Sequence, residues 1–490
     1  AIEIVKGNLS PLNPNESPDK HIYLRNNIFY SFGVDATGAH EQSGGDEAAR
    51  YCFGKDISSV KLLNRIDAAG VCNLLSCVVD YLGERVVCQA PVPGVFNDQV
   101  DDEGNSLDKV AYGYSIDENK INVNPKFEEV LKPVAEAFHL KKHTVELATG
   151  ATTGDKELIV SKDTKGLIGT DGRKYMIDLY RTTPLDVDFV ESHYDESSEM
   201  SYPHKEATLR HEAVEEWYKR KAAAIFKVET ERLEKEGKLE GDSKPQIAIP
   251  YDQITFNPDA FTGVNETEED KQTVRELSEF VKKHLIPEFL KDVSENAVPY
   301  DGAQLSDYMH RSGINIRYLG EVAKQALGKA EEFQASLDAT IKENEAELEK
   351  AETEETLSSS DSSEGNSEKV SLESQVSQSS EESKERASTS AKMIPVSANM
   401  RSLYNICVQE MIARASKHFL RKVGASVPAL LMPHFVSHFH NCLLGGDITT
   451  SPAASIEELY KSFFTLDELA FVKLDTASVI DSISKEVYMR

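Results

Sequence analysis

The sequence predicts an α+β N-terminal part followed by a mostly α-helical part, with a long acidic Ser/Glu-rich insertion expected to be disordered. Three observations carry this expectation. Up to about residue 190, short runs rich in β-branched and aromatic residues, closed by Gly, Pro and Asn, alternate with helical patterns. From Pro203 onward, apolar residues recur at helical spacing under heavy charge. Residues 354–390 are dominated by Ser, Glu, Gln and Lys and contain no aromatic residue, so they cannot bury enough apolar area to offset their ordering entropy. The expected divisions are 1–190 (α+β), 191–353 (helical), 354–392 (acidic linker) and 393–490 (C-terminal helices).

In chain order, residues 1–20 are rich in Asn, Pro and Ser and read as loop. His21 to Phe32 reads as a strand. After the Gly44-Gly45-Asp46-Glu47 turn, 46–53 and 57–82 read as helix, with Val60, Leu63, Ile66 and Leu74 to Val78 on the apolar side. Glu84 to Ala90 is a short buried strand closed by Pro91-Val92-Pro93-Gly94. Ala111–Ile116 and Ile121–Val123 form a strand pair, and a helix spans about 125–138. Further helices are expected at 206–236, 267–295, 303–311, 318–352, 397–423, 427–444, 454–462 and 466–486. No fixed-period repeat is visible.

The chain has 490 residues, enough for two or three cores, and a formal charge of -29. Such acidity excludes a nucleic-acid binder that works by bulk attraction and leaves room only for segregated basic patches. No apolar stretch is long enough to span a bilayer, and no signal peptide is evident. Six cysteines lack CxxC or CxxH spacing and lie mostly among apolar neighbours, the pattern of buried thiols in a reducing, cytoplasmic setting. The first residue is Ala1, so a piece of a longer polypeptide is expected.

The most informative stretch runs from Gly166 to Pro184. A Thr170-Asp171-Gly172 turn separates Leu167-Ile168 from Tyr175, Ile177 and Leu179, the pattern of a buried β-hairpin, with Gly169 and Gly172 expected at positive φ. Gly169, Thr170, Asp171, Gly172, Arg173, Tyr175, Asp178, Leu179, Arg181 and Pro184 resemble the signature of the clustered mitochondria (Clu) family. Four more blocks resemble that family in the same order: Asn26-Asn27-Ile28-Phe29 leading to Gly44–Ala49, then Gly83–Gly94, Gly313–Gly320 and Ser437–Cys442. The resemblance covers roughly residues 20–350 and 395–445 and implies the central Clu domain. Family members carry a ubiquitin-like domain before this region and tetratricopeptide repeats after it, and neither is evident here. It further implies a cytoplasmic protein that binds messages for mitochondrial proteins and keeps mitochondria dispersed. A fungal-type member is associated with the translation initiation factor 3 complex and ribosomes. Contact with the mitochondrial surface through partners, without membrane insertion, fits the same picture.

Enzymatic readings are weak. His310-Arg311-Ser312 echoes a kinase catalytic loop, but Ser312 cannot act as base, and Asp178 precedes the loop instead of following it. His434, His438, His440 and Cys442 have metal-compatible spacings, yet Phe435, Val436, Phe439, Leu443 and Leu444 describe a core helix. His211-Glu212 lacks the second His of a zinc-protease helix. Asp171, Arg173, Asp178 and Arg181 suit a turn and its ties better than a carboxylate pair with a clamp. No enzyme, cofactor or metal is expected.

For phosphate contact, Arg414, Lys417 and Arg421 share a helical stripe with Lys422 and His418 beside it, apart from an apolar face of Val408, Met411, Ile412, Ala415 and Phe419. A second cluster, Lys219, Arg220 and Lys221 with Lys205 and Arg210, is diluted by Glu212, Glu215 and Glu216. No RRM aromatics or KH loop appear, so contact is expected to be phosphate-directed. The alternative is a protein–protein scaffold that makes no RNA contact in this fragment.

Overall fold

The computed structural model describes residues 1–96, 109–115, 120–145, 156–198, 200–236, 247, 249–263, 266–358, 369–445, 463–465 and 468–488, and the side chains of all these except 351–358, 369–395 and 488. By packing the chain forms two units, one of Ala1–Lys283 with Arg414–Met489 and one of His284–Ala413.

In the first unit, a short helix α1 (Ile2–Val5) precedes β1 (Ile22–Arg25) and β2 (Ile28–Phe32). The expected single strand over 21–32 is therefore a hairpin. Asn26 and Asn27 both take left-handed φ, the geometry of a two-residue type I′ turn that asparagine tolerates well. Helix α2 (Gly45–Ile66) follows and ends at a left-handed Asp67. The helix expected over 57–82 stops there. Gly70 turns the chain with φ 84°, and β3 (Val71–Cys72) and β4 (Ser76–Tyr81) occupy the rest. Val78 and Val79 are β-branched, and β4 satisfies its backbone against β5 (Glu84–Gln89) across a left-handed Leu82-Gly83 turn. The first sheet has the order β1-β2-β5-β4, all antiparallel.

The second sheet contains the motif. Strands β6 (Val110–Ser115) and β7 (Lys120–Asn122) pair as expected, and α3 (Pro125–Phe138) starts where Asn124 accepts the Lys126 N–H, with Pro at its first turn. A separate hairpin, β8 (His143–Val145) and β9 (Lys156–Leu158), precedes β10 (Lys165–Ile168) and β11 (Lys174–Ile177). The order is β3-β11-β10-β6-β7, with β3 parallel to β11 and a register shift between β10 and β6 at Gly166/Leu167. Leu167 and Tyr175 pack with Leu74 and Val92. A short helix α4 (Val187–His193), then α5 (His211–Lys235) and α6 (Glu268–Phe280), complete this part; α6 opens with a Thr267/Asp270 capping box. The C-terminal portion of the unit packs Ala415 and Phe419 against Phe439 and Cys442 of α11 (Met432–Leu443) and Val479 and Ile483 of α12 (Thr476–Tyr488). A neighbouring cluster joins Val427, Leu431, Phe435, Leu469 and Phe471.

A π-helical stretch Val281–Leu285 links α6 to α7 (Ile286–Glu295). The second unit holds α7, α8 (Gly302–Arg311), α9 (Leu319–Ser358) and the portion of α10 (Lys369–Gly424) up to Ala413. Asn399 donates to the carbonyls of Val293, Ser294 and Asn296, satisfying orphan groups at the end of α7, and Ser397 donates to the Ala330 carbonyl. The single helix expected over 466–486 is in part a 3-10 turn, Ala470–Lys473, ahead of α12. The helix expected at 454–462 lies outside the described residues. So does the core of the segment expected to be disordered, 359–368, together with the side chains on either side of it. The fold class is as the sequence predicts, an α+β N-terminal region followed by a mostly helical one.

Two details of the hairpin differ from expectation. Gly169 is not at positive φ. It is required by close approach, because a Cβ there would lie 2.5 Å from Asp171 Oδ1 and 2.9 Å from Tyr175 Cε2. Leu179 is not in the strand. Asp178 takes a left-handed φ of 59° and turns residues Leu179–Arg181 into a 3-10 helix. Gly172 does sit at φ 75° with open space around it, so only backbone strain opposes a side chain there. Gly172→Val is therefore expected to cost about 1–3 kcal/mol in chemical denaturation, the usual scale of such strain. Asp171→Asn should cost much less, since an amide oxygen still accepts the Arg173 N–H (3.1 Å). Equal small losses would contradict this turn geometry.

Candidate functional site

The motif residues build a junction. Arg181 is buried, and its Nε donates to Asp163 Oδ2 (2.9 Å) while Nη2 donates to Glu206 Oε2 (3.1 Å). Burial alone lowers the pKa of this guanidinium, but the flanking Asp163 and Glu206 push it up well above its ordinary value. Asp178 pairs with Lys165 on β10. Next in sequence, Thr182 shares a hydrogen bond with Ser59 of α2 (2.8 Å), and Thr183 Oγ1 donates to the Leu209 carbonyl (2.7 Å). Leu179 N–H donates to Asp56 Oδ1 of α2 (2.6 Å). At the tip, Asp171 accepts from the Tyr175 hydroxyl (2.7 Å), which with the Arg173 N–H holds its carboxyl below the usual range. Arg173 is exposed and lies 3.7 Å from Asp171. The polar motif side chains Asp171, Asp178 and Arg181 are each engaged by a named partner within the junction or its turn.

The C-terminal stripe lies against the first sheet. Arg421 pairs with Glu47 of α2, and a Cβ on Gly83 would lie 3.4 Å from the Arg421 carbonyl oxygen, so the β4–β5 turn abuts the end of α10. Arg85 grips Asp80 through Nε and Nη2 (both 2.8 Å), and its Nη1 donates to the Arg50 carbonyl (2.7 Å). Arg50 Nη2 reaches Asp80 Oδ1 and the Gly83 carbonyl, each at 3.3 Å. Arg85 thus holds Asp80 below the usual carboxylate range, with Arg50 and Lys417 adding to the effect. Burial first, then Arg421 and Arg85, lower the pKa of Arg50 against the opposing pull of Asp80 and Glu47. Arg50, Arg85, Lys417 and Arg421 outnumber Asp80 and Glu47. Lys417 and Lys422 are exposed, while Arg414 is half-buried and already engaged.

Arg50 and Arg85 were not legible as part of this patch from sequence, because they are distant in the chain and only the packing of α2 and the β4–β5 hairpin brings them to α10. Nor is the stripe wholly separate from the packing, since Arg421 is tied inward. Ile412, expected on the apolar face, is exposed. The second cluster is neutralised. Lys219 pairs with Glu215 (3.4 Å), Arg220 with Glu216 (2.8 Å), and Lys221 with Glu276 (3.0 Å) while lying over the Trp217 ring. Lys205 pairs with Glu196, and Arg210 with Glu212 (2.9 Å). His438 is a core residue whose Nε2 meets the Leu474 carbonyl at 2.8 Å, and His440 is exposed. No group of three metal-ligating side chains occurs among the described residues, and no described helix is long and apolar enough to cross a membrane.

The family model described as Clustered mitochondria matches residues 1–189, the part that holds both sheets and the motif hairpin. A second, described as Translation initiation factor eIF3 subunit 135, matches residues 296–490. A clustered mitochondria protein homolog of Debaryomyces hansenii is 52% identical over 494 residues, covering 100% of this chain and 37% of the relative. The chain belongs to the clustered mitochondria family. Homologs bearing the same name from Candida albicans (47% identical, 100% of this chain, 39% of theirs) and Aspergillus niger (33%, 100%, 36%) align along the whole chain as well. This Clu chain spans a little over a third of the length of these curated relatives. No solved structure matches it.

Within the Clu junction, Asp56 is a titrating strut. Burial, opposed by the Leu179 N–H and reinforced by Asp178, raises its pKa from 3.8 to about 6. Between those values the folded state binds more protons than the unfolded chain, so this group makes stability rise as pH falls from about 7 towards 4. Asp56→Asn should therefore stabilise the protein more at pH 7 than at pH 4.5, by about 1–3 kcal/mol of difference in urea unfolding. A pH-independent effect would contradict the raised pKa.

Proposed function

We propose that this chain is part of a cytoplasmic, non-enzymatic RNA-associated regulator that acts in mitochondrial distribution and in the translation of messages for mitochondrial proteins. Its partners in this reading are those messages and the translation initiation factor 3 complex with ribosomes, with mitochondrial-surface association through other proteins and no insertion into the membrane. The resemblance to a translation initiation factor subunit over 296–490 supports the link to the initiation machinery.

The observation that carries the RNA part is the cation excess where α2, the β4–β5 hairpin and the end of α10 meet. In a chain of net charge -29, four cations around two carboxylates form a local positive region that general attraction cannot supply. Two exposed lysines, Lys417 and Lys422, present that region to a phosphate backbone. The scaffold reading draws support from the Lys219–Lys221 cluster, whose cations are already paired with glutamates.

Lys417→Glu with Lys422→Glu separates the two readings. Both side chains are exposed, so the melting temperature should hardly move, whereas reversing Arg421 would place like charge beside Glu47 and confuse the result. Affinity for a mixed-sequence single-stranded RNA should fall at all compositions. The slope of log affinity against log salt should flatten by roughly 0.7 for each phosphate that the protein no longer neutralises. An intact fold with unchanged affinity and slope would remove RNA from this surface and leave the scaffold.

A further inference from the structure

Cys77 and Cys88 face each other across β4 and β5, between the Ser76–Gln89 and Val78–Val87 pairs. Facing residues of an antiparallel pair have Cα atoms about 4.5–5.5 Å apart, within the roughly 4.4–6.8 Å span that a disulfide bridges. The register that sets them opposite is pinned three pairs away. There Asp80 and Arg85 form a bidentate ion pair across the same two strands, and the left-handed Leu82-Gly83 turn closes the hairpin. The two thiols differ in access: Cys77 is exposed, whereas Cys88 is 6% exposed with its sulfur 3.9 Å from the Val86 carbonyl. Among the described residues, no strand register sets a second cysteine opposite any of the other four. Cys72 faces Tyr175, and Cys52, Cys407 and Cys442 are buried on helices.

We propose that Cys77 and Cys88 form an oxidation site at which a hydroperoxide converts the dithiol to a cross-strand disulfide. In the first step the Cys77 sulfur attacks the peroxide, the O–O bond breaks, and Cys77–SH plus ROOH give Cys77–SOH plus ROH. In the second, Cys88–SH attacks the Cys77 sulfur, the S–O bond breaks, and the S–S bond forms with release of water. Each thiol sulfur thus loses one electron to the peroxide. The division of labour follows from access. Burial, and then the adjacent Cys77 thiol, push the Cys88 thiol up to about 11, so it is protected from direct attack yet placed to resolve its neighbour. Facing Cβ atoms about 4.5–5.5 Å apart must approach to about 3.5–4.5 Å, so the bond forms under strain and is readily reduced.

The test is titration of the whole 490-residue chain with hydrogen peroxide, followed by intact mass and peptide mapping. The wild type should lose two hydrogens and yield a Cys77–Cys88 cross-linked peptide that a dithiol reductant reverses. Cys88→Ser should stop at a sulfenic acid on Cys77, captured by dimedone; Cys88→Ala serves instead should the serine variant melt early. Cys77→Ser should slow oxidation of this hairpin by at least about tenfold, since only the buried thiol remains. The proposal is overturned if Cys77 proceeds to sulfinic acid in the wild type without cross-linking, or if other cysteines oxidise before this pair.

Discussion

The N-terminal region depends on one buried guanidinium. Arg181 carries a full charge into the interior, where an unpaired cation is costly, and Asp163 and Glu206 compensate it from two different stretches of chain. Once Arg181 is fixed, its neighbours have little freedom. Thr182 and Thr183 reach Ser59 and the Leu209 carbonyl, Leu185 bridges to Thr208, and the Asp186 N–H donates to the Ala207 carbonyl. The hairpin exit, α2 and the approach to α5 are thereby fastened at one point. A second buried contact, between His143 Nε2 and Asp259 Oδ2 (2.8 Å), lies in the same region. Asp259 also accepts from Ser161 and the Lys162 N–H, and so ties β8 to the segment before α6.

Much of this was legible in the sequence, and the limits have physical causes. The hairpin at 165–177, the 110–122 strand pair, α3 and the helices from 211 to 311 followed from turn residues and periodicity. The helix expected over 57–82 holds only as far as Ile66, and fails beyond it because Leu74 to Val78 is a short apolar run, which periodicity alone cannot assign to strand or helix. Its partner Glu84–Gln89 decides the matter, and so does the Asp67–Gly70 break. Asn26-Asn27 is a turn signal hidden inside an apparent strand.

The candidate site was legible only in part. Charge spacing identified Lys417, Arg421 and Lys422 on one helix, but the partners Arg50, Arg85, Asp80 and Glu47 arrive through tertiary folding, which no local pattern announces. Lys219 and Arg220 are neutralised locally, by the glutamates four residues earlier that were visible in the sequence, whereas Glu276, which pairs with Lys221, arrives from another helix. The roles of Asp178 and Arg181 as ties could be anticipated from residue type, whereas the closeness that demands Gly169 could not.

The dependence on Arg181 is tested most directly by a double-mutant cycle in chemical denaturation, with Arg181→Met, Glu206→Gln and the pair combined. Removing one partner of a buried pair strands the other, so each single change should cost about 3–5 kcal/mol, and the double should cost clearly less than their sum. Single losses under about 1 kcal/mol that add without coupling would contradict the account, since they are the signature of a solvated surface pair.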